Sequence, residues 1–335
     1  MLSSPLRHVK WFTDPSRHPT DYSLLLTFPV IAAFAIAGLA IAAAAWIQRS
    51  VAEPRIFRAL ERFAWLGPLA LGVHVGLALI AAAALGMLFV PSLRVERDAF
   101  GFALLITEGV CGVLLLVGFA TRPAAVALAL LGFVAMEPFS VESILEQVHI
   151  LGIAIFLFIT GRGALSIDRV FRQQKALPVS EAPAVALTLL RVCMGVGIAF
   201  GALTEKLLDP GLAGALLAER PYLNVIAGLG ASNGQFAFLA GLVELVIGLV
   251  IVSGQLTRPV IAAGAVLFTA TLPIFGWPEL LGHLPYYGIM LTLFIAPSAD
   301  PRRLPWAGNA SCSLPFDRPR ASTRHRFSFY RSCRR

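Results

Sequence analysis

The stretch VELVIGLVIVSGQLTRP, residues 243–259, is the most informative part of this chain about its fold. It is apolar over enough residues to cross a bilayer, yet it carries one carboxylate, Glu244, inside the apolar run. An ionisable side chain at that depth costs about 2.5 kcal/mol or more unless it faces the protein interior. We therefore expect Glu244 to lie on the inward face of a transmembrane helix, as a candidate functional residue.

The same pattern occurs earlier in the chain, in TEGVCGVLLLVGFATRP at residues 107–123. Aligned without a gap, the two stretches share Glu at the second position, Gly at the sixth and twelfth, and a closing Thr-Arg-Pro; the earlier glutamate is Glu108. Such self-similarity indicates internal duplication. Each Thr-Arg-Pro turn, marked by Arg122 or Arg258, is so short that the helices on either side of it must be antiparallel neighbours.

Composition indicates a polytopic membrane protein. Hydrophobic residues make up 57% of the 335 residues, charged residues 14%, and the mean hydropathy is +0.78, which excludes an ordinary soluble domain. The first apolar run, Ser23 to Trp46, is longer than a signal-peptide core and is expected to be retained as a helix. The four cysteines are isolated, with no Cys-x-x-Cys, which argues against a thiol-relay oxidoreductase and against a Cys-ligated zinc or iron–sulfur site.

Apolar runs and polar breaks predict an all-α transmembrane bundle of about nine helices, one extra helix followed by two four-helix repeats. The second helix is expected at about 64–90 and the last at 284–297, with loops at 139–148 and 276–283 and a long connection from Asp209 to Asn233. The predicted division is an interfacial segment at 1–22, the extra helix at 23–47, the repeats at 64–170 and 184–303, and a basic disordered tail at 304–335.

Charge predicts the orientation of the bundle. Most of the 27 lysines and arginines fall on the side of the two Thr-Arg-Pro turns, while few, Lys206 among them, fall on the other side. By the positive-inside rule, the turns lie in the cytoplasm, the N-terminus outside and the C-terminus inside, in a bacterial-type inner membrane. The net charge of +8 then reflects orientation and contact with the lipid bilayer; no aromatic-basic platform indicates nucleic-acid binding.

Three motifs resemble the DoxX/DoxD family of four-helix membrane proteins: the glycine-spaced helix with an internal Glu that ends in Gly-x-x-Thr-Arg, the stretch GRGALSID at 161–168, and RVCMGVGIAFGALTEKL at 191–207. The resemblance implies two four-helix units and a link to quinone-dependent oxidation or to membrane oxidoreductase complexes, with a membrane or peripheral redox protein as partner. It also implies an Arg in the first helix of each unit, which is Arg191 in the second repeat and is replaced by His74 in the first.

Similar depth in the membrane predicts that Glu108 meets His74 and that Glu244 meets Arg191. Two interpretations stay open for these pairs, because a buried pair can lock two helices together or can serve a ligand or a proton. Arg122 and Arg258 are expected at the cytoplasmic turns.

A second set of polar residues crowds the outer ends of the helices. Its aromatic members suit interfacial anchors, whereas His and Glu at both mouths suit a quinone headgroup site or a proton relay. His149 and His283 are out of register between the repeats, which argues against a symmetric metal site. The set is Glu137, Glu142, Glu146, His149, Glu279, His283, Tyr286 and Tyr287.

Three functions therefore follow from the sequence. The first is the membrane subunit of a quinone-linked or redox-associated complex. The second is a small-molecule or ion carrier built from two repeats. The third is a non-catalytic assembly or scaffold protein. Whether the chain is an enzyme, and which residues would be catalytic, stays open.

Overall fold

The computed structural model describes residues 19–163, 165–172, 182 and 184–296, and within them the regular structure is helical. The predicted tail at 304–335 and most of the segment at 1–22 lie outside the described residues. Short 3-10 helices occur at Tyr22–Leu26, Glu61–Leu66, Pro221–Leu223 and Ala227–Leu229, and a π-helix at Leu203–Leu207. The α-helices are α1 Phe28–Ser50, α2 Arg55–Leu60, α3 Gly67–Ala84, α4 Ala99–Val117, α5 Thr121–Val134, α6 Val141–Leu145, α7 Val148–Thr160, α8 Ile167–Arg172, α9 Ala184–Ala202, α10 Pro210–Glu219, α11 Asn233–Ser253, α12 Thr257–Phe275 and α13 Trp277–Ile295.

Length and hydropathy identify the helices that can cross a membrane. Six segments of the described chain qualify, and α5 and α7 are shorter apolar helices. The prediction of an all-α membrane protein with several spans is confirmed in this form, while the count of nine helices and their division into repeats stay predictions. The six segments are Phe28–Ser50, Arg55–Ala84, Ala99–Val117, Ala184–Leu207, Asn233–Ser253 and Thr257–Phe275.

The long helices pack as one closed ring rather than as two separate bundles. In chain order α3, α4, α5, α7, α9, α11, α12 and α13 each pack on the next, and α13 packs back along α3. One hydrophobic core accordingly contains residues of both predicted repeats, such as Leu71 and Phe156 with Leu190 and Ile289. The extra helix α1 packs against α11 on the outside of the ring. The fourth helix of each predicted repeat therefore contacts the first helix of the other.

Glycines set two close helix crossings in this ring. A Cβ at Gly76 in α3 would lie 2.8 Å from the Gly112 carbonyl oxygen in α4, and a Cβ at Gly195 in α9 would lie 2.6 Å from the Gly248 carbonyl oxygen in α11. No other residue type allows two helix backbones to approach so closely. Glu108 and Glu244 each lie one helical turn from such a crossing.

Both Thr-Arg-Pro hairpins have the same backbone. The preceding glycines Gly118 and Gly254 have φ values of 69° and 78°, and Ala120 and Leu256 also have positive φ. We call the end of the bundle that holds these hairpins the arginine end, and the end that holds His149 and His283 the histidine end.

Several predicted boundaries are wrong at the histidine end. The second helix ends at Ala84 instead of 90, because Gly86 takes a positive φ and Met87 pairs with Arg94 as the chain folds back. The last helix begins at Trp277 instead of 284, since Gly276 and Pro278 form a helix start. The predicted loop at 276–283 is therefore helical, and the connection from Asp209 to Asn233 contains α10.

Candidate functional site

Glu108 is buried in α4, with none of its surface exposed. One carboxylate oxygen accepts a hydrogen bond of 2.6 Å from the backbone N–H of Phe89, which lies in the segment that folds back after α3. The other oxygen has no hydrogen-bond partner among the described residues. Phe89 itself has a φ of 62°, in the left-handed region that is uncommon for a bulky residue. The carboxylate thus holds a strained turn against the bundle.

The predicted pair of Glu108 with His74 is wrong. The His74 Nδ1–H donates to the carbonyl of Ala70 in its own helix at 2.7 Å. Its Cβ packs instead beside Gly288 of α13. Similar depth did not bring the two side chains together, since the Glu108 carboxylate binds the turn at Phe89 and His74 binds a carbonyl of its own helix.

Glu244 forms an ion pair with Lys206, not with Arg191 as predicted. The Lys206 Nζ lies 2.7 Å from the Glu244 carboxylate, and the lysine side chain is 9% exposed against 33% for the glutamate. Arg191 lies toward the other end of α11, where its Nη1 donates to the carbonyls of Ile251 and Val252, each at 2.6 Å. Lys206, predicted on the outer side of the membrane, is buried within the protein.

Guanidinium groups cap the ends of α4 and α11, the helices that carry Glu108 and Glu244, at the arginine end. Arg191 holds the last carbonyls of α11. Arg162, from the GRGALSID stretch, donates to the carbonyl of Leu116 in α4 at 2.6 Å and to the carbonyl of Leu165. A cation at a helix C-terminus is favoured by the helix dipole and by the unpaired carbonyls. Burial lowers the pKa of Arg162, but an arginine remains protonated in proteins.

The two arginines reach matching carbonyls from different parts of the chain. Arg162 enters beside Gly72 of α3, where an added Cβ would lie 2.8 Å from the arginine Cγ. The glycine of α3 therefore leaves the space that the stem of the Arg162 side chain fills. In the second half, the capping arginine is Arg191, which lies within α9, the first helix of the second predicted repeat.

Other polar side chains hold the backbone of the two hairpins in place. Asp168 accepts hydrogen bonds from the backbone N–H groups of Ala120 and Thr121, both at 2.8 Å, and so caps the start of α5. In the second half Gln48 of α1 accepts from the Leu256 N–H at 2.6 Å. Arg122 is exposed, whereas Arg258 is buried and bridges Glu53 at 2.7 Å and Glu61 at 3.1 Å. Both arginines lie at the start of the helix after each hairpin, but their surroundings differ.

Four of the predicted outer residues come together at the histidine end, where α7, α9, α12 and α13 meet. The His149 ring stacks on Tyr286, with ring centroids 4.0 Å apart. His149 has none of its surface exposed, and its Nε2 has no hydrogen-bond partner among the described residues. The Tyr286 hydroxyl lies 2.9 Å from the Cβ position of Gly197 in α9, so a larger residue there would displace it.

The other two residues of this group lie on the same helix as Tyr286. His283 stacks on Phe268 of α12 with ring centroids 4.2 Å apart, and its ring lies edge-on to Tyr286 at 6.5 Å. Its Nδ1 lies 3.7 Å from a carboxylate oxygen of Glu279, which is also buried. We call His149, Glu279, His283 and Tyr286 the aromatic-acid cluster.

Sequence reasoning missed the polar part of the π-helix. Thr204, Glu205 and Lys206 follow one another in Leu203–Leu207, and all three are buried. The Thr204 hydroxyl donates to the Glu146 carboxylate at 2.7 Å, which ties α9 to the turn before α7. A π-helix is rare and occurs frequently at functional sites. The available signal was the run Thr-Glu-Lys at the end of an otherwise apolar helix.

Three other members of the outer set, Glu142, Tyr287 and Glu137, do not join this cluster. Glu142 accepts hydrogen bonds from Thr20 at 2.8 Å and from Tyr22 at 2.6 Å, in the segment before α1. The Tyr287 hydroxyl lies 3.1 Å from the Thr269 hydroxyl. Glu137 is exposed and lines a surface groove with Arg94 and Glu96. Among the residues that the structure describes, no group of His, Cys, Asp and Glu is arranged to hold a metal ion.

The aromatic-acid cluster therefore combines an imidazole with available ring nitrogens, a phenol, a second imidazole and a carboxylate, all within the bundle. Such groups can donate and accept protons and can bind an uncharged polar molecule by hydrogen bonds. Comparisons with protein-family models, with curated proteins and with solved structures found no match to this chain.

Proposed function

We propose that the chain is a DoxX/DoxD-like integral membrane protein that acts as the membrane subunit of a quinone-linked redox complex, with the aromatic-acid cluster as the headgroup site. The observation that carries this proposal is His149, which is buried, stacked on Tyr286 and without a partner at Nε2 among the described residues. A buried polar group without a partner is costly, and a bound carbonyl oxygen would satisfy it.

The residues of the cluster fit a quinone headgroup in their chemistry. When bound, a quinone supplies two-electron chemistry coupled to the uptake of two protons. His149 and Tyr286 can donate hydrogen bonds to carbonyl oxygens, and Glu279 beside His283 can hold or pass on a proton. The electrons would come from a redox protein partner, as the resemblance implies.

Duplication of a four-helix unit is the second part of the proposal. Three matching features support it: the glycine crossings at Gly76–Gly112 and Gly195–Gly248, the positive-φ hairpins, and the guanidinium caps of α4 and α11. A further pair of contacts supports it where α7 packs on α9 and where α13 packs on α3. The Cβ position of Gly152 lies 2.6 Å from Cys193, and that of Gly288 lies 3.0 Å from His74.

The proposed orientation places the arginine end in the cytoplasm of a bacterial-type inner membrane. The exposed arginines at that end, Arg55, Arg58, Arg62 and Arg122, support this placement. The N-terminus would then lie outside and the C-terminus inside.

A proton- or ion-coupled carrier is the alternative that a specific observation favours. The ion pair of the buried Lys206 with the partly exposed Glu244 and the hydrogen bond of Thr204 to Glu146 both involve one π-helix. Buried ionisable groups inside a membrane bundle commonly mark proton or ion paths. For a carrier, we expect transport by the purified chain in vesicles without any redox partner.

Extraction of quinone from the purified protein tests the first function. We expect His149→Phe, which keeps an aromatic ring but removes both nitrogens, to lower the retained quinone at least tenfold. Tyr286→Phe, which removes one hydroxyl, should lower it less. His74→Phe is the matched control, because His74 lies outside the cluster, and it should retain the wild-type amount. Absence of quinone from wild-type protein purified in mild detergent, or equal retention by His149→Phe, would contradict the proposal.

A further inference from the structure

The segment between α1 and α3 has two sides of different character. Its inward side holds Phe57, whose ring packs edge-on against Phe294 of α13 at 5.5 Å, and the buried Ala64. Its outward side exposes Ile56, Phe63 and Trp65, which are 67%, 37% and 43% exposed. This segment is the first part of Arg55–Ala84, which at 30 residues is longer than the roughly 20 that a span needs, so its polar beginning suits the level of the lipid headgroups.

The acidic residues of this segment lie on its inward side and the basic residues on its outward side. Glu53 and Glu61 turn inward to the buried Arg258, at 2.7 Å and 3.1 Å. Arg55, Arg58 and Arg62 are exposed, and their spacing of three and four residues places them on one side of the helical segment. Both acidic residues thus share the guanidinium of Arg258 rather than pairing with the exposed arginines.

The outward surface is therefore both cationic and apolar. None of the three arginines forms an ion pair with another described residue, and the Arg62 guanidinium lies 4.7 Å from the centre of the Phe63 ring. Ile56 and Phe63 flank the arginines. Apolar side chains beside exposed arginines suit acyl chains beside anionic headgroups.

We propose that this surface, Arg55, Arg58 and Arg62 with Ile56, Phe63 and Trp65, is a binding site for anionic phospholipid. The arginines bind the phosphate groups, while the apolar side chains enter the upper part of the acyl region. The site is independent of the proposed quinone function, because it lies at the arginine end and shares no residue with the aromatic-acid cluster.

Lipid contact here would also bear on the packing of the second half. The inward partners of the same segment are Arg258 in α12 and Phe294 in α13. Arg258 in addition donates to the Ala296 carbonyl at the end of α13, at 2.5 Å. A lipid that orders the segment from outside therefore supports contacts that hold the last two helices in place.

The test measures quenching of Trp65 fluorescence by brominated lipid, with the full chain reconstituted in phosphatidylcholine bilayers. Adding Trp65→Phe to the wild type and to each variant gives the fluorescence of the other tryptophans, which is subtracted. We expect brominated phosphatidylglycerol to quench Trp65 more strongly than brominated phosphatidylcholine at the same mole fraction. Arg55→Gln combined with Arg58→Gln should lower the relative affinity for phosphatidylglycerol roughly 25-fold, since each basic residue contributes about a factor of five.

Arg94→Gln combined with Arg97→Gln is the matched control. Both residues are exposed, but they lie at the histidine end, so this variant should keep the wild-type preference. Equal quenching by the two lipids in the wild type would overturn the proposal and leave the surface to an acidic protein partner. An equal loss of the preference for phosphatidylglycerol in both double variants would also overturn the proposal, because it would indicate a response to the overall charge of the protein.

A measurement on the unaltered protein keeps the test independent of how the variants fold. Salt screens charges at the membrane surface, so raising the salt concentration should weaken the preference for phosphatidylglycerol and leave quenching by phosphatidylcholine unchanged. A preference that persists unchanged in high salt would contradict an arginine–phosphate site.

Discussion

Glu108 and Glu244 lie at matching positions in two similar helices, but their carboxylates are held by different partners. Glu108 is fully buried and accepts from a backbone N–H, whereas Glu244 is partly exposed and pairs with a lysine ammonium. In each case, the partner belongs to the segment that directly follows the preceding helix of the ring. That segment is an irregular turn at Phe89 in the first half and the π-helix at Lys206 in the second.

The partner of each glutamate determines which side chains could replace it without a large loss of stability. A backbone N–H needs only an acceptor, and a neutral amide or a protonated acid can still provide one. An ammonium group in low dielectric needs a negative charge close by. The same substitution should therefore have unequal effects in the two halves.

The largest effect is expected for Glu244→Gln, which leaves the buried Lys206 ammonium without its ion-pair partner. We expect a loss of about 3 kcal/mol in the free energy of unfolding, at the lower end for a broken buried pair because Glu244 is partly exposed. Thermal unfolding in detergent measures it. Combining Glu244→Gln with Lys206→Met should recover most of the loss; failure to recover would mean that the pair is not the source of the effect.

A smaller effect is expected at Glu108, and it depends on the replacement. Glu108→Leu leaves the Phe89 N–H buried without an acceptor and should cost about 2 kcal/mol. Glu108→Gln keeps an acceptor and should cost less than about 1 kcal/mol. The same unfolding measurement compares them. A cost for Glu108→Gln as large as that for Glu244→Gln would remove the distinction between the halves.

The smallest effects are expected for lysine in place of the two capping arginines. Arg162 uses two different nitrogens for its two carbonyls, so Arg162→Lys should lose one contact and cost about 1 kcal/mol. Arg191 contacts both of its carbonyls through one nitrogen, so Arg191→Lys should cost about 0.5 kcal/mol or less. Paired unfolding curves in one detergent resolve the difference, and the reverse order would contradict the two capping geometries.

Several features of the fold could be predicted because they depend on residues close together in the chain. Apolar runs gave the all-helical membrane class, and the Thr-Arg-Pro turns gave the two hairpins. Burial of Glu108 followed from the cost of a carboxylate in an apolar helix. The start of α13 was missed, because Gly276 and Pro278 suggested a loop although a proline in the first turn is compatible with a helix.

The candidate site was only partly predictable. His149, His283, Tyr286 and Glu279 were identified as polar residues at helix ends, and the meeting of α7 with α13 brings them together. Glu142 and Tyr287 were grouped with them by sequence position, yet their hydrogen bonds go to other elements. Position along a helix gives depth, but it does not give the direction in which a side chain points.

The membrane class, the two glutamate helices and the hairpins that follow them could be inferred from the sequence alone. These features arise from local composition and from spacing along one helix, so no distant partner was needed to infer them. Only the tertiary structure decided which group each charge contacts. Lys206 reaches Glu244, Arg162 fills the space beside Gly72, and Arg191 turns to carbonyls instead of a carboxylate, because partners in a closed ring are set by helix rotation and by irregular turns that carry no sequence period.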